Sequence, residues 1–442
     1  MLTILRISNM VKIKEDKRRY AACSDGDKGR FFWLMSRLMS FIFFFLLLSS
    51  SAEASGAGGT SISFAFAEDE YQVPPAPERS EEGFLTSYLN RAIEKNMKVS
   101  HSEGDLEGSE LIQYGRNITK YVSAPQFGGY VIGKYAYSSQ DKSNGFDCRM
   151  IRMYVSGTIL RDFKYRVQIE LKNPAMRDYT LEWVRFKEFQ VKVGQFKRCF
   201  TYENPMNPWD LGLGNYSQLA RHMTALLVED PSGEAAQNGR DLGLQLQGDL
   251  FPVGKDRHRL IHYQAAVYNG NGQNKKDNNK QKDWMGNIQV QPVKNLFIGL
   301  YGWTGTYTGT NGISVKRNRW ALSGIYNSKD WSVRVEYAHH KGSNANDFDK
   351  KTNTWKAGSS NEADAWYVVL GVPVTPWLKV YGSYDVYRKD ATWGTMKSIY
   401  GICPNFQLHR NLMFQLQYNY VNDRTVANQN YHELWAQAYV RF

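Results

Sequence analysis

The chain has 442 residues and a formal net charge of +12, and 14% of its residues are aromatic. It contains 28 tyrosines and 12 tryptophans but only 13 prolines, a composition that suits short amphipathic strands better than a large hydrophobic globule. The basic balance indicates an anionic partner, and the export signal at the N-terminus argues against nucleic acid as that partner.

The N-terminus has the pattern of a targeting segment. Arg37 precedes the apolar run from Phe41 to Leu48, and small residues follow it up to Ala54. The run is too short to cross a bilayer as a helix, and its flanks are typical of a signal peptide. We therefore predict a signal segment over residues 1–54, with cleavage after Ala54 or, as a second candidate, after Ala67.

The next segment, residues 55–127, is an acidic lead with one helical pattern. Apolar residues recur at helical spacing from Ser80 to about Lys98, and Ser80 can cap the first turn. A short packed helix and a frayed linker both fit this pattern. Residues 128–442 form the predicted third unit, which consists mainly of strands.

The cysteine and histidine positions give no sign of a disulfide framework or a reaction centre. The exported chain keeps Cys148, Cys199 and Cys403, an odd number without close spacing. His339 and His340 are adjacent, so on a strand they point to opposite faces and cannot share a metal. No GxSxG nucleophile motif is present. We expect no catalytic residue, no metal and no cofactor.

The strand signal is a period of two. In the stretch Phe163 to Lys172, apolar residues alternate with charged or amide ones without a break, as in a strand with one oily and one polar face. Most such segments are about 9 to 14 residues long, which fits tilted membrane-spanning strands. Sixteen are predicted: 128–139, 146–159, 162–172, 178–187, 190–200, 239–249, 259–270, 284–291, 295–307, 317–327, 330–341, 363–373, 376–388, 395–405, 409–421 and 431–442.

The connections between these strands alternate between tight turns and long polar loops. The link from Thr201 to Asn238 is by far the longest, and the chain ends on an aromatic residue, Phe442, of the last strand. One-sided loop lengths are typical of outer-membrane barrels, and a secreted array of β-sandwiches gives no reason for them. The predicted fold is therefore an all-β transmembrane protein, a 16-stranded antiparallel outer-membrane β-barrel.

Several stretches carry a family resemblance. VGQFKRCFTYENP (193–205), GRDLGLQLQGDL (239–250), YQAAVYNGNG (263–272) and MYVSGTILRDFKYRVQIEL (153–171) resemble the phosphate-selective porin O and P family in its Bacteroidetes-type form, and the likeness extends over about residues 128–442. The resemblance implies a sixteen-stranded, usually trimeric channel for anions in the Gram-negative outer membrane. It also implies a short periplasmic helical segment at the N-terminus and an inward-folded third extracellular loop.

Alternation assigns the charged face of the strands to the lumen. A lysine or arginine facing lipid at the bilayer midplane costs about 2 to 4 kcal/mol, so the apolar face of 162–172 must meet lipid. We predict a basic wall on the third to fifth strands, with Trp183 also inward. Its cations are Lys164, Arg166, Lys172, Arg185, Lys187 and Lys192.

The longest loop is the predicted constriction. The segment from Tyr216 to Leu227 suits a short helix packed inside a barrel, because its apolar residues would otherwise meet water. The charged residues of this loop are mainly acidic, so we expect it to face the basic wall across the pore as in a general diffusion channel. Its predicted site residues are Glu203, Asp210, Arg221, His222, Glu229 and Asp230.

The functional hypothesis is a passive outer-membrane porin that prefers small anions, with phosphate-type anions among them. The alternatives are a general non-selective diffusion porin and a structural or adhesive surface barrel. The partners we expect are outer-membrane lipid, small anionic solutes and two further copies of the chain. Lysines of the long loops, such as Lys275 and Lys276, either steer anions or meet the phosphates of surface lipid.

Overall fold

The computed structural model describes residues 122–328, 330–356 and 361–442. The predicted signal segment, both candidate cleavage sites and the predicted helix from Ser80 to Lys98 lie outside the described residues. Of the lead segment, only its last residues are described. Val122 forms an isolated antiparallel bridge with Ile159, and the first strand begins at Gln126.

Sixteen antiparallel strands close into a barrel. The last strand pairs with the first, so none of the sixteen described strands is left with a free edge. All sixteen predicted strands are confirmed, with ends displaced by no more than four residues. They are β1 (Gln126–Ser138), β2 (Ser143–Ile159), β3 (Phe163–Glu170), β4 (Ala175–Trp183), β5 (Gln190–Lys197), β6 (Arg240–Val253), β7 (His258–Tyr268), β8 (Asp283–Val293), β9 (Leu296–Thr308), β10 (Ser314–Asn327), β11 (Ser332–Gly342), β12 (Glu362–Thr375), β13 (Leu378–Arg388), β14 (Met396–His409), β15 (Leu412–Asp423) and β16 (Asn430–Arg441).

The links at one end of the barrel have at most six residues, and the three long loops, 198–239, 269–282 and 343–361, all lie at the other end. In an outer-membrane barrel these are the periplasmic and extracellular ends. The loop between β11 and β12 carries a two-residue hairpin, Phe348–Asp349 with Thr354–Trp355. Among the described residues, no helix has the length and apolar character that a membrane crossing needs.

The outer face of the strands is apolar and exposed. Val167, Leu370 and Leu434 each expose over a third of their surface although they are aliphatic. The residues that alternate with them point into the barrel and are either polar, as Gln168 and Gln437 are, or part of the inner core, as Val369 is. This alternation matches the predicted lipid-facing and lumen-facing sides.

The loop between β5 and β6, residues 198–239, lies inside the barrel and is called L3 here. Its carbonyl oxygens at Leu211 and Gly214 accept hydrogen bonds from Arg334 of β11 and Gln437 of β16, both on inner faces. Its apolar side chains are fully buried against inner side chains of β7 to β14, which gives the barrel an off-centre hydrophobic core. The members of that core in L3 include Phe200, Leu211, Leu219, Met223 and Leu226.

One helix, α1 (Gln218–Met223), lies within L3 and is shorter than the pattern over Tyr216 to Leu227 indicated. Ser217 is its N-cap, because the hydroxyl oxygen accepts a hydrogen bond from the backbone N–H of Ala220. Such a cap satisfies a helix-end donor that would otherwise be buried without a partner. The helix packs against the inner faces of β11, β12 and β13.

Candidate functional site: a basic cavity beside L3

A cavity of about 710 Å³ lies between L3 and the inner faces of β1 to β7. The off-centre core packs L3 against β7 to β14, so this cavity lies on the opposite side of L3. Seven basic and three acidic side chains line it, an excess of four positive charges. They are Arg152, Lys164, Arg166, Lys187, Lys192, Lys197, Arg240, Asp178, Glu182 and Asp249.

Several of these cations are neutralised by carboxylates. The Arg240 Nε and Nη2 atoms donate to the two carboxylate oxygens of Asp178 at 2.8 and 3.0 Å, a bidentate pair. Arg152 Nε donates to Glu170 at 2.9 Å, and Lys192 Nζ lies 4.0 Å from Glu182. These ion pairs hold the side chains of the cavity wall in place but contribute little net charge to the cavity.

Lys164 and Arg166 keep their charge available to solutes. In the part of the chain that the structure describes, neither has a carboxylate within the 4.0 Å of an ion pair. The Arg166 guanidinium lies 4.3 Å from the centre of the Tyr154 ring, a cation–π contact that orients it without cancelling its charge. The two residues are on the same inner face of β3, two positions apart.

The six predicted wall cations divide into two groups. Lys164, Arg166, Lys187 and Lys192 line the cavity, with Lys187 at the periplasmic end. Lys172 instead lies at the extracellular rim, where its Nζ is 2.5 Å from Asp147. Arg185 lies in the turn after β4, where its Nη1 donates to Asp162 at 3.1 Å.

The inward assignment of Trp183 and Arg185 is wrong, for a reason set by strand pairing. Cross-strand partners share a face, and Lys164 pairs with Glu182 whereas Phe163 pairs with Trp183. Trp183 therefore faces outward with Phe163, and β4 ends before Arg185. The inner face of β4 presents Asp178, Thr180 and Glu182, so this strand of the wall is acidic rather than basic.

The six predicted charges of L3 do not line the cavity. The edge of L3 that does is Pro205, Met206, Asn207 and Pro208, which carries no formal charge. The expected arrangement of an acidic loop facing a basic wall is therefore wrong. The apolar residues of L3 pack on β7 to β14, and this turns its acidic residues away from β3.

The carboxylates of L3 have partners within the barrel. Glu203 accepts hydrogen bonds from the backbone N–H and the hydroxyl of Ser217, and burial raises its pKa although the charge of Arg334 opposes this. Glu229 lies at 3.3 Å from the Asn344 amide. Asp210 is exposed and is not part of the cavity lining.

Two further predicted residues, Arg221 and His222, both belong to α1. The His222 ring stacks on Tyr387 of β13, with centroids 3.8 Å apart. Burial and the charge of Arg221 lower the pKa of His222 to about 3. The imidazole is therefore neutral at physiological pH and acts as a packing group.

An arginine cluster holds L3 to the wall, and it was missed from the sequence. Asp230 accepts a hydrogen bond from Arg319 of β10 at 2.5 Å. Burial alone would raise the pKa of Asp230, but the charges of Arg319 and Arg317 outweigh it and hold that pKa well below its usual range. The sequence contains a signal for this cluster. Arg317 and Arg319 are two residues apart, so both side chains lie on the inner face of β10.

The same cluster surrounds one tryptophan. The guanidinium groups of Arg198, Arg317 and Arg319 lie 5.0, 4.8 and 4.2 Å from the Trp303 ring. Four carboxylates complete the set: Arg198 binds Glu234 and Asp241, Arg317 binds Glu234 and Asp283, and Arg319 binds Asp230. With four acids against three arginines, the cluster offers no positive charge to an anion.

Solved outer-membrane porins share this fold. An anion-selective porin from Comamonas acidovorans is similar with a TM-score of 0.53 and 12% identity, covering 72% of this chain and 99% of that one. The trimer form of OmpT from Vibrio cholerae has a TM-score of 0.49 and 14% identity, covering 72% of this chain and 99% of that one. The channel DcaP of Acinetobacter baumannii has a TM-score of 0.49 and 9% identity, covering 73% of this chain and 98% of that one.

A search of curated protein sequences gives no match. A family model, that of the phosphate-selective porin O and P family, matches residues 130–296. That range runs from β1 to the start of β9 and contains the whole basic cavity wall and L3. Family and fold point to a channel rather than an enzyme. The chain is an outer-membrane β-barrel of the porin fold, and over residues 130–296 its sequence matches the phosphate-selective porin O and P family.

Proposed function

We propose that this channel passes small hydrophilic solutes by passive diffusion and prefers anions. The observation that carries the proposal is the pair Lys164 and Arg166, whose charges are not cancelled by carboxylates and which face the neutral edge of L3 across the cavity. Basic side chains at a pore wall favour anions because their field replaces part of the lost hydration. The excess of four positive charges along the lining acts in the same direction.

Selection among anions is weak in this proposal. Tight phosphate binding needs several donors, arginine above all, that converge on one point without carboxylates. The arginines that do converge, around Trp303, are paired with Asp230, Glu234, Asp241 and Asp283. Phosphate is then one of the anions that pass, and we expect chloride current to continue when phosphate is added.

The test is the reversal potential of single channels in a KCl gradient. We expect the wild type to favour chloride, and charge reversal of three cavity cations, K164E/R166E/K192E, to reduce or invert that preference. The matched control reverses three exposed charges at periplasmic turns, K255E/R257E/R410E, and should leave the preference near that of the wild type. A wild type that prefers potassium would contradict the proposal.

The same recordings separate the alternatives. Equal permeability to both ions indicates a general diffusion porin. A channel that stays closed under all conditions indicates a structural or adhesive surface barrel. Block of chloride current by phosphate at about its own Kd would instead reveal a phosphate site.

We also propose that three copies assemble, as the family resemblance implies. Support comes from the short wall formed by β3, β4 and β5, which have 8, 9 and 8 residues. Eight residues at about 3.3 Å each, tilted by about 40°, span about 20 Å, less than the apolar band of about 25 Å. Neighbouring copies would cover this low wall, whereas β10 and β12, with 14 residues each, span about 35 Å by the same geometry and cross the whole band.

A pair of matched valines tests this assembly. Val167 on β3 and Val368 on β12 both face outward and expose 41% and 37% of their surface. Val167→Trp should dissociate the assembly, because a large side chain disrupts close packing, and Val368→Trp should not, because lipid accommodates it. Mass measurement in detergent is the readout. A wild type with the mass of one copy, or dissociation by Val368→Trp alone, would refute the assignment.

A further inference from the structure

The outer face of the barrel carries an aromatic shelf that runs from the middle of β10 and β11 to the extracellular part of β12 and the loop after β13. Trp320 lies 5.2 Å from Tyr337, ring centre to ring centre, and Trp366 lies 5.9 Å from Trp393 of the loop after β13. These strand residues alternate with buried inner ones, so they point away from the lumen. Trp366 and Trp393 lie towards the extracellular end, where tryptophan and tyrosine rings are at the height of the lipid headgroups.

An ion pair is built into this outward face. Arg388, the last residue of β13, donates from Nε to Asp364 of β12 at 2.7 Å and from Nη2 at 2.5 Å. The Asp364 side chain is almost fully buried, which is costly for a carboxylate unless it is paired and hydrogen-bonded. The pair therefore fixes the guanidinium in one orientation on the outer surface.

The arginine keeps donors for a further partner. Both hydrogen bonds to Asp364 come from Nε and Nη2. The Nη1 atom of Arg388 makes no hydrogen bond within the described part of the chain. The guanidinium also lies 5.4 and 4.8 Å from the rings of Trp366 and Trp393. Asp364 and the two rings occupy only part of the planar guanidinium group. Its remaining N–H donors can bind an acceptor outside the protein.

Further cations surround the shelf. The acids near them are Asp364, Glu362 and Asp390, so positive charge is in excess by five to three. Arg424 donates to the carbonyl oxygen of Trp393 at 2.9 Å. The other three cations are exposed at strand ends or in the loop after β13: Lys316, Lys341 and Lys389. Of these, Lys341 is paired with Glu362, 2.9 Å from its Nζ.

We propose that this surface, centred on Arg388, Trp366 and Trp393, binds the phosphorylated headgroup of a glycolipid in the outer leaflet of the outer membrane. Phosphate accepts bidentate hydrogen bonds from arginine, and basic residues at a membrane surface are attracted to anionic lipid. The aromatic rings contact the sugar and the first part of the acyl chains, which a free phosphate ion cannot do. The proposal is independent of anion selectivity, since these side chains point away from the cavity.

Native mass spectrometry of the purified protein in detergent tests the proposal, with bisphosphorylated lipid A as probe and dephosphorylated lipid A beside it. The double variant D364N/R388Q removes both charges and keeps hydrogen-bonding groups in place. We expect it to bind bisphosphorylated lipid A about tenfold more weakly, the effect of losing one charge-assisted contact. The control K275Q/K276Q, exposed lysines of the β7–β8 loop, should bind as the wild type does.

A second variant guards against misfolding of the first. Trp393→Ala changes only an exposed loop side chain, and it should weaken binding because it removes one ring from beside Arg388. Equal binding of dephosphorylated lipid A, or unchanged binding in both variants, would overturn the proposal. Displacement of the lipid by an equal concentration of inorganic phosphate would also overturn it, because the site would then recognise the ion alone.

Discussion

Gly194, in the middle of β5, has a backbone conformation that other residues rarely adopt. Its φ is +121°, and an added Cβ would overlap the carbonyl oxygen of Tyr179 on the neighbouring strand. We predict that Gly194→Ala destabilises the barrel by about 1 to 3 kcal/mol, seen as a lower urea midpoint in micelles. Gly324→Ala is the control, because no atom lies near its added Cβ. Equal midpoints for the two variants would contradict the prediction.

Asp230 is the residue of L3 on which the arginine cluster depends most directly. Asp230→Asn would leave Arg319 and Arg317 buried with less compensation, at a cost of about 3 to 5 kcal/mol. We expect L3 to become accessible to limited proteolysis in intact barrels. The double variant D230N/R319Q should be cut less than D230N, because it removes the stranded charge as well. Asp349→Asn, in an exposed hairpin, is the control and should resist cleavage like the wild type.

Individual inward residues were predictable where a strand is regular. Lys164 and Arg166 follow from the alternation along β3, because the apolar face of that strand must meet lipid. Arg185 was misplaced because β4 ends at Trp183, and the phase of that strand is set by its pairing with β3, in which Trp183 lies opposite Phe163. The local alternation of β4, with polar Asp178, Thr180 and Glu182 between apolar residues, carries the correct phase, and the prediction failed because it extended the strand to Lys187 and assigned its face from the cations beyond Trp183.

The packing of L3 inside the barrel should weaken at acidic pH because of His222. The packed loop keeps the imidazole neutral, with its pKa at about 3, whereas an unpacked loop takes up a proton near its ordinary pKa of about 6.5. Packing is therefore strongest above about pH 6.5 and weakens as the pH falls towards about 3. Glu203 acts in the opposite direction, because its raised pKa lets the packed loop bind a proton first.

His222→Phe isolates this contribution. Phenylalanine keeps the stack on Tyr387 but cannot be protonated. We expect the increase in proteolysis of L3 between about pH 7 and about pH 4 to be smaller in the variant than in the wild type, since this range lies within the window of the histidine. Identical pH profiles would show that other groups control the loop.

The strands and the interior of L3 differ in how far they can be predicted. Each strand has its own period-two pattern, so all sixteen were found from local sequence. The position of L3 depends on contacts with strands more than a hundred residues away, such as Glu336 on Tyr202 and Asp385 on Gln218. The acidic composition of the loop therefore suggested a charged constriction, although distant arginines of β10 neutralise Asp230 and Glu234.

Across the whole molecule, the off-centre core and the cavity divide the charges into two classes. The arginines around Trp303 are buried with their carboxylates, so dissolved ions cannot screen them. Lys164 and Arg166 face water in the cavity and are open to screening. Anion preference, which comes from the second class, should therefore depend on salt.

We predict that the ratio of chloride to potassium permeability is higher at about 0.1 M than at about 1 M KCl, because the screening length falls from about 10 Å to about 3 Å. Neutralising the cavity pair, K164Q/R166Q, should lower the ratio at low salt and leave little further change at high salt. Lys341→Gln, at an exposed extracellular position, should keep the salt dependence of the wild type. A ratio that does not change with salt would mean that selectivity arises from buried charge or from pore size, and not from the open basic wall of β3.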